Sequence, residues 1–318
     1  MKIPFISRST IEFFKEGRKT PGYSWFDALH GYIYGRWTHL YIGIGIGEHP
    51  WAKRYGPLLA RLANWYKRLS RRKPARTTDP VGTAKPGFAD TYHGKVLPLE
   101  SARRLVMVNE EVVLHDLEKV IPYHKARDIV LSNPQHILAL ECPCRASRAH
   151  PCLPLDVCLI IGEPFAAFVA EHHPRRSRWI TQDEAVGILR AENERGHVHH
   201  AFFKDAMLGR YYAICNCCSC CCGAMQAQRR GTPMLASSGY VCQIDEILCI
   251  GCGECIETCP FGALALDSAS SRVDAEKCMG CGVCVSNCAQ GALSLERDAA
   301  RGEPLEILEL MQKASAKI

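Results

Sequence analysis

Cysteine recurs in this chain at a spacing that is written twice. Cys249-x2-Cys252-x2-Cys255-x3-Cys259-Pro260 is followed, 29 residues further on, by Cys278-x2-Cys281-x2-Cys284-x3-Cys288. More than the thiols repeats. Asp245 maps onto Asp274, Gly251 onto Gly280, Gly253 onto Gly282, and Gly262-Ala263-Leu264 onto Gly291-Ala292-Leu293. Eight of the 19 cysteines fall into this one pattern, and the fold around them has to bring thiols together four at a time.

Four thiolates in this rhythm are the signature of a [4Fe–4S] cube, which needs one thiolate per iron around a compact inorganic core. Three cysteines two residues apart can wrap three corners. The glycines among them let the backbone turn tightly and bring N–H groups towards the sulfurs. On these residues the segment 240–298 resembles the bacterial-type dicluster ferredoxin domain. In that family the fourth cysteine of each run ligates the other cluster. The resemblance therefore implies one cluster on Cys249, Cys252, Cys255 and Cys288, and a second on Cys278, Cys281, Cys284 and Cys259. The second run ends Cys288-Ala289 where the family has Cys-Pro. That departure bears on the stiffness of the turn and not on ligation. Structural zinc and disulfides are the rivals for Cys-x2-Cys pairs, and neither accounts for two interlocked runs.

At 318 residues and 47% hydrophobic, the chain is long enough to bury a core and is expected to hold two or three units. No apolar run of 18 residues occurs, so no membrane-spanning helix is expected. The opening residues turn polar too soon for a secretory signal. A reducing, cytoplasmic location follows, and it suits a protein with so many free thiols. Charge is polarised along the chain: residues 1–80 hold 15 Lys/Arg against 5 Asp/Glu, and residues 240–318 hold 6 against 12. Such polarity suits docking to redox partners with complementary fields. No nucleic-acid recognition motif, P-loop or catalytic triad stands out.

Residues 1–50 are rich in aromatics and glycine, and Tyr41-Ile42-Gly43-Ile44-Gly45-Ile46-Gly47 reads as a strand with a glycine face. From Pro57 to Arg72 the spacing predicts a basic amphipathic helix with a stripe of Leu58, Leu62, Trp65, Tyr66 and Leu69. Such a helix either packs on its own domain or rests on a membrane surface or an acidic partner. Residues 73–95 read as a Pro/Gly/Thr-rich linker. A helix is expected over Leu99–Val113, a short strand over Ile137–Leu140, a helix opened by a Thr181/Glu184 capping box and closed by Gly196, and a strand over Val198–Phe203.

A second cysteine group lies between these elements. It comprises Cys142, Cys144, Cys152 and Cys158, then Cys215, Cys217, Cys218, Cys220, Cys221 and Cys222; Cys242 stands alone. At these residues the chain resembles a poorly characterised family of multi-domain iron–sulfur proteins of anaerobic bacteria and archaea. Its members carry a Cys-x-Cys-Arg … Cys … Pro-Leu-x-x-Cys-Leu segment and an Ile-Cys-Asn-Cys-Cys-x-Cys-Cys run before a dicluster ferredoxin. The ten thiols suggest a third centre, an iron–sulfur cluster ahead of zinc, with Cys142, Cys144, Cys152 and Cys158 as one set of four that the 215–222 run replaces or supplements. Thiol–disulfide chemistry is the other reading. Arg145 could offset a cluster's negative charge, and His197, His199 and His200 read as a half-exposed strand.

The expected architecture is α+β. A basic aromatic region (1–95) is followed by a cysteine-rich α+β domain (96–238), a dicluster ferredoxin domain with pseudo-twofold βαβ-like halves (239–298) and a C-terminal helix or tail (299–318). The expected function is electron transfer through two [4Fe–4S] clusters as an auxiliary subunit of a larger redox system. The alternative is an oxidoreductase whose active site is the central cysteine region.

Overall fold

The computed structural model describes residues 7–69, 87–267 and 270–316. Its centre is an eight-stranded sheet built from β1 (Tyr92–Leu97), β2 (Val112–Leu114), β3 (Ile129–Leu140), β4 (Cys158–Glu163), β5 (Ser177–Ile180), β6 (Val198–Lys204), β7 (Arg210–Cys217) and β8 (Leu235–Ala236). The order is β2-β3-β4-β7-β6-β1-β8, with β5 pairing β3 off this path. All pairings are antiparallel except β1 with β8. Every residue of β6 is buried, as is nearly all of β7. Both faces of the sheet centre are therefore covered.

The register places the chemistry. Leu140 pairs with Cys158, Cys158 with Cys215, Cys215 with His200 and His200 with Val96, in one row across five strands. Directly opposed residues share a face of the sheet. Because β3, β4 and β7 alternate in direction, the C-terminal end of β3, the start of β4 and the end of β7 meet at one edge. Cysteines far apart in sequence are delivered there together.

Among the described residues five helices precede the sheet: α1 (Arg8–Lys19), α2 (Trp25–Arg36), α3 (Thr38–Gly45), α4 (Pro50–Leu69) and the short α5 (Phe88–Thr91). The Ile/Gly alternation is thus a helix, not a strand. Its glycine serves close packing: a Cβ on Gly43 would lie 3.1 Å from Ser147 Oγ, beside the first central cysteines. The basic amphipathic helix starts at Pro50, earlier than expected, and Arg71 and Arg72 fall outside the described residues. Residues 92–95, expected in a linker, form most of β1 in the sheet interior; residues 70–86 of that stretch lie outside the described residues. The helix expected over Leu99–Val113 stops at Val106 and gives way to β2. The Thr181/Glu184 box caps the helix Gln182–Glu194, and Gly196 follows it at φ +78°. His199 and His200 are fully buried, against the expectation of a half-exposed strand, because β6 is covered on both faces.

The C-terminal part carries β9 (Tyr240–Ile244), β10 (Leu264–Asp267), β11 (Ser270–Val273) and β12 (Leu293–Arg297). β9 pairs with β12 and β10 with β11, both antiparallel. The strand entering the first cysteine run is thereby zipped to the strand leaving the second. Mixed helix and strand is the architecture, with the doubled cysteine runs carried by the C-terminal part.

Candidate metal centres

The sequence repeat is a structural repeat down to its hydrogen bonds. The Asp245 carboxylate accepts from the N–H groups of Ile247 (2.9 Å) and Leu248 (3.3 Å), and its carbonyl accepts from Cys249 N–H at 3.0 Å. Asp274 does the same for Glu276 (3.1 Å), Lys277 (3.3 Å) and Cys278 (2.9 Å). Gly253 and Gly282, at φ +81° and +77°, each open the short helix that carries the third cysteine of its run. A side chain there would be strained. The halves also cross over: Asp245 N–H donates to Ala292 O and Asp274 N–H to Ala263 O, each at 2.8 Å.

The crossing gathers Cys259 of the first run with Cys278, Cys281 and Cys284 of the second around one enclosed cavity. Burial pushes the Cys281 thiol far up, and its charged neighbours Cys284, Cys259 and Cys278 push the same way. Around the other run, Ser271 N–H lies 3.5 Å from Cys249 Sγ, and Ser271 Oγ lies 3.2 Å from Cys255 Sγ. Cys288 packs against the same apolar cluster as Cys255. Cys242, isolated in the sequence, is the repeat partner of Ser271 at the 29-residue offset. Its N–H lies 3.4 Å from Cys278 Sγ, and its thiol 3.6 Å from Cys284 Sγ. Backbone donors aimed at sulfurs, and thiols grouped around a cavity, fit an anionic thiolate-ligated cluster.

The ten central cysteines divide differently from the expectation. Cys152, Cys218, Cys220 and Cys221 bring their Sγ atoms within 4.8 Å of one another; Cys152 and Cys220 lie 3.2 Å apart, and Cys220 and Cys221 3.7 Å. The loop is pinned by Arg148 Nη2 on Cys221 O (3.0 Å) and Gln226 Nε2 on Cys220 O (2.7 Å). The other six, together with Cys218, line a cavity in the interior. Cys142 faces Cys144 and Cys158, Cys158 faces Cys215, Cys144 faces Cys222, and Cys222 faces Cys217. Cys142, Cys144, Cys152 and Cys158 are thus not one set. Strand register, which local sequence does not reveal, decides the partition.

Arg145 stands between the two groups. It is 1% exposed, and its Nη2 lies 2.5 Å from Glu192 and 2.9 Å from Asn216 O, while Nη1 donates to Pro154 O at 2.7 Å. Its charge acts on Cys142 of the buried group and on Cys218 of the compact one. Burial raises the Glu192 carboxyl, but hydrogen bonds from His197 and Arg145 outweigh it and hold the group below the usual carboxylate range. His197 bonds Glu192 at 2.7 Å and His199 bonds Asn216 Oδ1 at 2.6 Å.

The compact group also faces the C-terminal part. A groove is lined by Cys152, Cys218 and Cys220 on one side and by Thr258, Cys259 and Pro260 on the other. Arg229 clamps its walls, donating to Ser219 O at 3.2 Å and to Pro260 O at 2.8 Å.

The family profile of the 4Fe-4S dicluster domain matches residues 242–289, and this match starts at Cys242. The class of protein is therefore one carrying an iron–sulfur domain of that description at its C-terminal end. No curated protein matches the chain.

Proposed function

We propose that the chain transfers electrons through two [4Fe–4S] clusters in a pair of pseudo-twofold ferredoxin halves, as an auxiliary subunit of a larger redox system. Cys249, Cys252, Cys255 and Cys288 hold one cluster; Cys278, Cys281, Cys284 and Cys259 hold the other. The observation that carries this reading is the arrival of Cys259 beside three thiols of the opposite run. Such clusters supply one-electron chemistry at low potential. The protein's own part is to hold each sulfur, aim N–H groups at it and keep water away. The central cysteines, joined to this domain across the Arg229-clamped groove, form a further centre on the same route.

Spectroscopy of the anaerobically purified chain tests the assignment. Reduced protein should show two interacting [4Fe–4S] centres. Cys259→Ser should perturb the same centre as Cys281→Ser and leave the centre altered by Cys249→Ser intact. If Cys259→Ser and Cys249→Ser instead alter the same centre, the crossed ligand sets are wrong.

The exposed apolar stripe of α4 supports a second feature, contact with a membrane surface. Trp51, Tyr55, Leu58, Leu62 and Trp65 recur at helical spacing and are each about half exposed or more. No helix among the described residues is long and apolar enough to cross a membrane. The group of ten free central thiols is what supports the oxidoreductase alternative to a pure carrier. Turnover of a disulfide by the isolated chain with an artificial donor would support it, and absence of turnover favours the carrier.

A further inference from the structure

The spacing of thiols distinguishes what they can hold. Sulfurs bound 2.3 Å from one tetrahedral ion stand about 3.8 Å apart. Around a cube each thiolate binds a different iron, so the sulfurs stand on the outside of a core and spread further. Cys152, Cys218, Cys220 and Cys221, all within 4.8 Å of one another, have single-ion spacing. Among the described residues no ferredoxin thiols form so tight a group, which gives an internal reference for cluster spacing in the same molecule.

The six interior thiols are arranged in the other way. They follow one another around a cavity of about 50 Å³, where one water needs roughly 10–15 Å³. They do not converge on a point. The cavity wall is otherwise mostly apolar, so the thiols face one another away from water. Lys204 is 2% exposed; its ammonium lies 4.8 Å from the ring centres of both Tyr34 and Tyr92, which line the cavity, and it makes no ion pair among the described residues. His200 lies directly across the ladder from Cys215, fully buried, with neither ring nitrogen hydrogen-bonded. A buried cation without a counter-charge is costly. An anionic thiolate cluster behind the Tyr34 and Tyr92 rings would offset part of that cost.

We propose that the ten central cysteines hold two centres: a single tetrahedral ion, zinc or iron, at Cys152, Cys218, Cys220 and Cys221, and an enclosed iron–sulfur cluster held by ligands drawn from Cys142, Cys144, Cys158, Cys215, Cys217 and Cys222. The proposal deepens the reading of the central region as a further centre and does not depend on which ferredoxin thiols pair. Cys218 lines both the interior cavity and the groove that faces Cys259. The single-ion site therefore stands between the buried cluster and the ferredoxin domain.

Metal and acid-labile sulfide counts on the full-length, anaerobically purified chain test it. Two ferredoxin cubes account for about eight sulfides per chain, and an enclosed cube brings the count to about twelve. In Cys152→Ser/Cys220→Ser about one metal ion per chain should be lost with sulfide unchanged. In Cys142→Ser/Cys158→Ser about four sulfides should be lost and the single ion kept. About eight sulfides in the unaltered protein overturns the proposal, whatever the variants do. So does loss of sulfide from Cys152→Ser/Cys220→Ser. If the interior variant does not fold, the unaltered count and the Cys152/Cys220 variant decide the matter alone. Cys281→Ser reports on the ferredoxin reading separately: unchanged sulfide there removes that reading and leaves the two central centres standing.

Discussion

At the scale of single residues, the two copies of the cysteine repeat differ at a position that touches the thiols. Ser271 presents a hydroxyl to Cys255, whereas Cys242 presents a thiol to Cys284. A hydroxyl is the stronger donor, and hydrogen bonds to sulfur favour the reduced, more negative cluster. Cys242→Ser should therefore raise the potential of the cluster proposed on the second run. A gain of about 1 kcal/mol in a one-electron couple is on the order of 40 mV. Potentiometric titration of the reduced spectrum reads the shift, and a fall or no change refutes the argument. His93 gives a pH prediction of a different kind. Its ring is fully buried, donates from Nδ1 to Ala89 O at 2.8 Å and stacks 3.7 Å from Tyr123; burial pushes its pKa down to about 4. The unfolded chain takes up a proton near pH 6.5 that the folded chain refuses until about 4. Stability is thus fully present above pH 6.5 and falls as the pH drops towards 4, by up to about 3 kcal/mol from this group. Denaturant titrations across that range should show a shallower slope in His93→Phe.

At the scale of elements, α2 owes its seat to two glycines one turn apart. A Cβ on Gly31 would collide with Ala206 O, and one on Gly35 with the Phe168 ring. The close approach lets Tyr34, Gly35 and Thr38 form a wall of the interior cavity, with the Tyr34 hydroxyl 2.8 Å from that of Tyr212. Gly35→Ala should cost about 1–3 kcal/mol through overpacking. Gly187→Ala, in the helix Gln182–Glu194 with open space around it, should be neutral or gain about 0.5–1 kcal/mol. Unfolding midpoints of the holoprotein compare the two, and equal effects would mean that α2 is not seated by its glycines. The same contrast explains what could be read beforehand. The capping box at Thr181 and the ferredoxin glycines act within a few residues, so their signals are local. The Ile/Gly run misled because one of its glycines, Gly43, answers to Ser147 in the cysteine-bearing segment, far away in sequence. The ten central cysteines were visible as donors, but their division into four and six follows from Leu140, Cys158 and Cys215 sharing one sheet row. A local pattern does not encode that pairing.

At the scale of the whole molecule, charge is polarised along the chain, and most of the exposed aromatic side chains gather towards its basic end. The helix α4 contains five Lys/Arg and no Asp/Glu, while residues 240–318 carry twice as many acidic as basic groups. On α4 the exposed stripe from Trp51 to Trp65 is flanked by Lys53, Arg54 and Arg61, and α2 adds Trp25 at 67% and Phe26 at 76% exposure. Aromatics of this kind favour the boundary between headgroups and acyl chains, and each basic residue near an anionic surface adds about 1 kcal/mol. The full chain should cosediment with vesicles of phosphatidylcholine and phosphatidylserine and much less with phosphatidylcholine alone. Trp51→Ser/Trp65→Ser should weaken binding about tenfold or more, as two interfacial aromatics losing roughly 1–2 kcal/mol together predict. Added salt should weaken it further, because exposed charges are screened over about 10 Å at 0.1 M ionic strength. The cluster spectra of that variant should be unchanged, since neither tryptophan lines a thiol cavity. Equal binding to neutral and anionic vesicles, or none to either, would leave the stripe as a docking face for a protein. An acidic partner would then be the candidate for the basic end, leaving the acidic C-terminal part to a partner of opposite charge.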